Sequence, residues 1–217
     1  MTRSAEWYFD FISPFSYLQF KTLDRLPDSV TLQFVPVLFA GLLNHWGNKG
    51  PAEIPSKRRE MYQYCQWYAE RHSIPFQTPS IHPFNPLNAL RLAIVLGSTY
   101  TTIDTIFRHI WETGGELETE KNLSELLACL NVDPEHTLNL INSQSIKKQL
   151  HKNTERAISA GVYGVPTFSL DDKLFWGFDR TDMLLDYLDK PTMFETSEMK
   201  RLSKLPQGVK RVTPKND

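Results

Sequence analysis

The chain has 217 residues, 23% of them charged, with 24 Lys and Arg set against 25 Asp and Glu. A formal net charge of −1 gives no global field to draw nucleic acid or an anionic membrane, and no apolar run approaches the roughly 20 residues of a spanning helix. The N-terminus, MTRSAEWYFDF, lacks the apolar core of a secretory signal, so the chain is expected in the cytoplasm, as one domain with an insertion or as two small domains.

The chain opens with Trp7, Tyr8, Phe9 and Phe11, aromatic residues that favour a pleated, buried strand. Ser13 follows as a preferred N-cap, and Pro14 suits the first helical position, where a missing N–H costs nothing. Phe15, Leu18, Phe20 and Leu23 then recur at helical intervals. Val30–Val37 alternates as a second strand, expected to pair parallel to the first through a right-handed crossover. From Phe39 to about Leu150 nearly every segment reads as helix. Ser56–His72 carries Met61, Tyr64, Cys65 and Tyr68 on one face, and Asn85–Leu96, Thr102–Trp111, Leu123–Leu130, Pro134–Ile141 and Ser145–Ala160 follow, the last closed by Gly161.

Strand character returns over Val162–Leu170, Asp171 and Asp172 make a turn, and Lys173–Trp176 pairs back as a hairpin. Asp179 then caps a helix over Thr181–Leu188 that Pro191 ends. From Pro191 onward, six Lys and Arg against three acids, with few apolar residues and no period, describe a loose arm or a disordered tail. Cys65 and Cys129 lie far apart on apolar helix faces and read as buried small side chains. The six histidines show neither H-x-x-x-H nor H-E-x-x-H spacing, so no metal site is expected. The order is an α/β chain with a large α-helical insertion: residues 1–38 and 145–190 form the α/β domain, 39–144 the insertion, and 191–217 a tail.

Five motifs carry chemistry, each with a plain alternative. Ser13 in S-P-F-S serves as a cap or as a donor to an anion at a helix start. Pro166 in G-V-P-T-F is a strand-edge proline in either isomer. Asp179 in W-G-F-D-R caps a helix or holds a cation. Asn48 and Lys57, in G-N-K-G-P and I-P-S-K-R, sit in a solvated loop or at a ligand. The fifth is H-P-F-N-P-L-N, His82–Asn88. Together and in this order they resemble the glutathione-dependent relatives of the disulfide oxidoreductase DsbA. These are the bacterial 2-hydroxychromene-2-carboxylate isomerases and the kappa-class glutathione transferases, and Ser13 and Ser16 stand where C-x-x-C cysteines would be. The resemblance covers nearly the whole chain up to Pro191.

It implies a DsbA-like, thioredoxin-like fold with a cis Val165–Pro166 bond facing the helix start, and glutathione as the cofactor. Asp179 would then meet the γ-glutamyl ammonium, and the Phe178 backbone N–H its carboxylate. The Val165 backbone would pair with the cysteinyl unit as an added strand does, while Asn48 and Lys57 would hold the glycine end. Phe15, Trp46, Phe84 and Asn85 would line a pocket for a small aromatic acid, and the expected assembly is a homodimer. No base is in evidence to make Ser13 a nucleophile; its hydroxyl and the helix dipole are read as stabilising a glutathione thiolate. The expected activity is isomerisation of an aromatic 2-oxo acid, with a kappa-type transferase as the alternative. A non-catalytic glutathione-binding module is a further possibility. Thiol–disulfide exchange is disfavoured by serine at both motif positions.

Overall fold

The structure, a computed structural model, describes residues 2–117 and 119–209. It opens with strand β1 (Arg3–Phe9), helix α1 (Pro14–Phe20) and strand β2 (Val30–Pro36), followed by α2 (Phe39–Trp46), α3 (Pro55–Arg71), α4 (Leu87–Val95), α5 (Tyr100–Phe107), α6 (Glu120–Cys129), α7 (Pro134–Asn142) and α8 (Gln144–Ser159). Strands β3 (Thr167–Leu170) and β4 (Lys173–Trp176) and helices α9 (Thr181–Asp189) and α10 (Ser197–Leu202) complete it. The sheet has the order β2-β1-β3-β4. β2 pairs parallel to β1 as expected, whereas β3 and β4 are antiparallel additions.

Two strands differ from their sequence patterns for identifiable reasons. The aromatic run does form β1, but the strand starts at Arg3 and stops at Phe9. Beyond it, the Asp10 carboxylate accepts the Ile12 N–H at 3.1 Å, a local bond that turns the chain away from the ladder. Val162–Leu170 is strand only from Thr167, because Pro166 has no N–H to give a ladder. The Val165–Pro166 peptide is cis, as is His82–Pro83. One cysteine expectation is corrected. Cys65 is enclosed but Cys129 is exposed, because α6 buries Leu123, Leu126 and Leu127 and position 129 falls outside that stripe.

The backbone separates into two compact units, one running to Thr181 and one beginning at Asp182. In the second, the Tyr187 and Phe194 rings lie 5.4 Å apart. Thr196 caps α10 by accepting the Met199 N–H at 3.3 Å, a helix within the stretch whose composition announced no element. The tail expectation over 210–217 lies outside the described residues. Among the described residues no helix is long and apolar enough to cross a membrane.

The core of the first unit is aromatic. Trp7 and Phe9 of β1 stack at 4.7 Å, and Phe107 of α5 meets Phe9, Phe11 and Phe20 at 5.8, 4.7 and 5.4 Å. A polar chain runs through this apolar mass. The Trp7 indole N–H donates to Gln19 Oε1 at 2.6 Å, and Gln19 Nε2 donates to the Gly177 carbonyl and to Thr181 Oγ1, both at 3.1 Å. Gln19 is wholly buried, so each of these bonds replaces water that is not there. In Gln19→Leu the indole N–H loses its acceptor, and a buried orphan costs about 1–3 kcal/mol. The urea midpoint should fall accordingly at constant m-value; an unchanged midpoint would show that the carboxamide does not hold the fold together.

Candidate active site at the start of helix α1

Ser13 is the N-cap of α1, with extended backbone at φ −90° and ψ 114°. Its Oγ accepts the Ser16 N–H at 3.2 Å, and its own N–H donates to the Asp10 carbonyl at 3.1 Å. No group among the described residues accepts the Ser13 hydroxyl proton, which is therefore free to be donated. Ser16, the other motif position, is fully enclosed, and its hydroxyl has no partner among the described residues. The Asp10 carboxylate lies close in the chain, but its oxygens face the Ile12 and Phe39 N–H groups at 3.1 and 2.8 Å. It does not act as a base on Ser13.

Gln19, two turns along α1, fixes the other wall through Gly177. That residue has φ +99°, and a Cβ there would collide with the Asp179 carboxylate, so only glycine suits the position. Phe178 and Asp179 follow in a 3₁₀ turn. The Phe178 ring lies parallel to Phe15 at 5.5 Å, with an angle of 9° between them, and meets Tyr64 and Tyr68 of α3 at 6.0 and 5.0 Å. Its backbone N–H has no partner among the described residues. Asp179 is exposed and ion-pairs with its neighbour Arg180, and its charge contributes to raising the Tyr64 phenol, where burial is the larger cause.

The remaining sequence candidates fall in three places. Neither backbone polar group of Val165 has a partner among the described residues, while its side chain belongs to the buried cluster that includes Tyr8, Val37 and Leu42. Trp46 is tied to this segment by its indole N–H, which donates to the Val162 carbonyl at 2.9 Å. Lys57 lies exposed in the first turn of α3 with no ion-pair partner among the described residues, two helical turns from Tyr64, a rise of about 10 Å. Asn48 is exposed just beyond the end of α2. Phe84 and Asn85 stand further off. Phe84 packs on His82 and Trp111 at 5.9 and 6.5 Å, and Asn85 Oδ1 accepts the Leu87 N–H at 3.1 Å. Phe84 connects to the segment before Ser13 through His82, whose Nε2 is 2.8 Å from the Ile12 carbonyl, and through Trp111, whose indole N–H donates to the Phe11 carbonyl at 2.8 Å. An open groove of about 430 Å³ runs along α3 past Tyr62, Gln66 and Trp67, and Ser13 does not line it. Among the described residues no three His, Cys, Asp or Glu side chains are grouped to hold a metal ion.

The family model of the DSBA-like thioredoxin domain matches residues 5–189. The chain belongs to the DSBA-like thioredoxin domain family. Among curated proteins it is 27% identical over 196 residues to 2-hydroxychromene-2-carboxylate isomerase of Sphingobium xenophagum, covering 87% of this chain and 99% of that one. It is 28% identical over 207 residues to glutathione S-transferase kappa 2 of Caenorhabditis elegans, covering 86% and 92%. Among solved structures, a 2-hydroxychromene-2-carboxylate isomerase superposes with a TM-score of 0.79 at 24% identity, over 88% of this chain and 97% of that one. The oxidoreductase DsbA from Xylella fastidiosa gives 0.55 at 17%, over 86% and 84%. At these identities the structures speak for the fold alone.

Within this DSBA-like frame, Gln19 and Asp10 went unread in the sequence, and His82 was read only as the first residue of a pocket motif. Gln19 and His82 act through bonds to residues distant in sequence and leave no local signal. Asp10 had one, an Asx-turn two residues before Ile12. Asp10 is wholly buried, and burial pushes its carboxyl up to about 7 against backbone N–H donors from Phe39, Ile12 and Phe11 that favour the carboxylate. Between about pH 4 and pH 7 the folded chain therefore holds a proton that the unfolded chain has lost, so this group's contribution to stability falls as pH rises through that window. Asparagine cannot ionise. The stability of Asp10→Asn relative to the parent should rise by a few kcal/mol between about pH 4 and pH 8 in paired denaturant titrations. A difference that stays flat with pH would mean that Asp10 does not titrate there.

Proposed function

We propose that this chain is a glutathione-dependent isomerase of the 2-hydroxychromene-2-carboxylate type, in which the Ser13 hydroxyl holds the glutathione sulfur as its thiolate. The observation that carries the reading is the Ser13 hydroxyl itself. Its oxygen is occupied by the Ser16 N–H, and its proton has no acceptor within the described chain. The surrounding donor set suits the tripeptide. It comprises, among the described residues, a backbone edge at Val165 and an N–H at Phe178 without partners, an exposed carboxylate at Asp179 and a cation at Lys57 without an ion pair, with the exposed Asn48 carboxamide between α2 and α3. The Asp179–Arg180 pair is exposed, so it is worth little and gives way readily to a ligand ammonium.

Glutathione held by Ser13, Val165, Phe178, Asp179 and Lys57 would supply a nucleophilic thiolate, the chemistry that reversible addition to a conjugated aromatic 2-oxo acid requires. The residues of the chain hold and polarise. A thiol of pKa about 8.5 is mostly protonated at neutral pH, and lowering it by two units takes about 2.7 kcal/mol. One charge-assisted hydrogen bond contributes about 1.5–3 kcal/mol, whereas the dipole of a helix end contributes about 0.3–1 kcal/mol. The hydroxyl is therefore the larger influence. The paired rings of Phe15 and Phe178 offer an apolar wall to an aromatic acid. A kappa-type transferase would use the same thiolate, and the relative in C. elegans supports it at similar identity. Glutathione is consumed in that case and returned in the first, so its stoichiometric loss with an electrophile separates the two.

Ser13→Ala should lower glutathione-dependent turnover at least tenfold, while the dissociation constant for glutathione measured at about pH 5, where the bound thiol is protonated in both proteins, should change by less than about threefold. Thiolate ultraviolet absorbance, titrated with pH on the bound complex, should show the thiol pKa rising in the variant; no rise would end this reading. Asp179→Asn keeps the shape and removes the charge. Affinity for glutathione should fall about ten- to a hundredfold by calorimetry, with the melting temperature of the free protein barely moved. Unchanged affinity would remove Asp179 from the site.

A further inference from the structure

The peptide between Ile12 and Ser13 is held at both of its polar atoms. Its N–H donates to the Asp10 carbonyl at 3.1 Å, and its carbonyl, on Ile12, lies 2.8 Å from His82 Nε2. A carbonyl oxygen only accepts, so Nε2 carries the imidazole proton and Nδ1 is left as an acceptor. Tyr62 of α3 answers it. The Tyr62 hydroxyl is 2.8 Å from Nδ1 and 3.0 Å from the His82 carbonyl, and with Nε2 protonated its single proton is shared between these two acceptors. The ring packs edge-on against Trp111 at 5.4 Å and Tyr62 at 5.5 Å.

This imidazole stays neutral at neutral pH. Burial holds its pKa below the ordinary histidine value, and the Arg58 charge on α3 works in the same direction. The Ile12 carbonyl favours the protonated form and is outweighed. Both ring nitrogens are engaged inside the fold, so His82 has no lone pair for a substrate proton. What it can do is hold a peptide plane. The Ser13 Oγ is attached one carbon beyond that plane, and α1 is only seven residues long, so rotation of the Ile12–Ser13 peptide would swing the hydroxyl. Misplacement of about 1 Å at a reacting group costs on the order of a hundredfold in rate.

We propose that His82, oriented by the Tyr62 hydroxyl, is a positioning residue for Ser13, fixing the Ile12–Ser13 peptide and with it the point from which the serine hydroxyl meets sulfur. This rests on the reading of Ser13 given above. It assigns a role to the H-P-F-N-P-L-N loop different from lining a pocket: its first residue reaches across to the α1 turn.

The test joins a spectroscopic measurement that needs no activity to a kinetic one. Nitrogen-15 NMR of the imidazoles should show His82 as the Nε2–H tautomer, titrating below the ordinary histidine range. Tyr62→Phe, which removes one hydroxyl and keeps the ring, takes away the donor to Nδ1, so the His82 pKa should rise and the bound thiol pKa should rise with the loosened ring. His82→Ala should lower kcat at least tenfold and raise the bound thiol pKa, with the glutathione dissociation constant at about pH 5, where the bound thiol is protonated, within about threefold. His82→Gln, whose amide N–H can reach the Ile12 carbonyl, should recover most of the loss. An Nδ1–H tautomer in the parent protein would overturn the proposal, as would His82→Ala at full kcat. So would a His82 pKa unmoved in Tyr62→Phe. If Ser13→Ala shifts the thiol pKa and the His82 and Tyr62 variants do not, this inference alone fails. If Ser13→Ala shifts nothing, the reading of Ser13 fails and this one with it.

Discussion

Gln19 places a carboxamide where water does not reach and answers it with Trp7, Gly177 and Thr181. In a low-dielectric interior such bonds are strong when complete and costly when broken, so their geometry is tightly specified. Through them β1, α1 and the 177–181 turn acquire a common reference. Ser13 stands six residues before Gln19 on a rigid helix, about 9 Å along its axis. The distance between the serine turn and the Asp179 turn is thus set by helix geometry plus one amide. The Phe15–Phe178 stack closes the same gap from its apolar side.

Asp10 performs a related task with a buried carboxyl group. Its carboxylate ends β1 by taking the Ile12 N–H and starts α2 by taking the Phe39 N–H, the latter at a helix whose N-cap residue, Leu38, has no side-chain oxygen to offer. One buried acid therefore organises the turn that carries Ser13 and the helix that carries Trp46. A titratable group enclosed without a cation is a poor choice for stability alone. Here it stands three residues before Ser13, whose N–H its backbone carbonyl accepts, and local rules are most often broken beside functional groups.

The order of elements was readable because it is written in local signals. Aromatic and β-branched runs, helical spacing and the Gly161 stop all act within a few residues, and the parallel pairing of β1 with β2 followed from them. Ser13 was legible as a cap for the same reason. What escaped notice is non-local. The Gln19 and His82 bonds join residues 158 and 70 positions apart, and nothing in Q-F or H-P announces them. The misjudged side of Cys129 has a different origin: Leu123, Leu126 and Leu127 define the buried stripe of α6, and a cysteine two residues past it reads as apolar while facing water. The comparisons with relatives reach the family. The placement of single side chains is a matter for the geometry.

Serine at both positions of a motif that elsewhere carries a pair of cysteines changes what oxidants can do to this protein. Cys65 is enclosed, its thiol pushed up to about 12 by burial, and Cys129 lies on α6, outside the serine turn. No disulfide can lock the start of α1, and no sulfenic acid can form there. Under the glutathione reading, the sulfur that does the chemistry is diffusible. Oxidative wear would fall on a molecule that leaves with each exchange, so the catalyst is renewed by mass action and needs no reductase of its own.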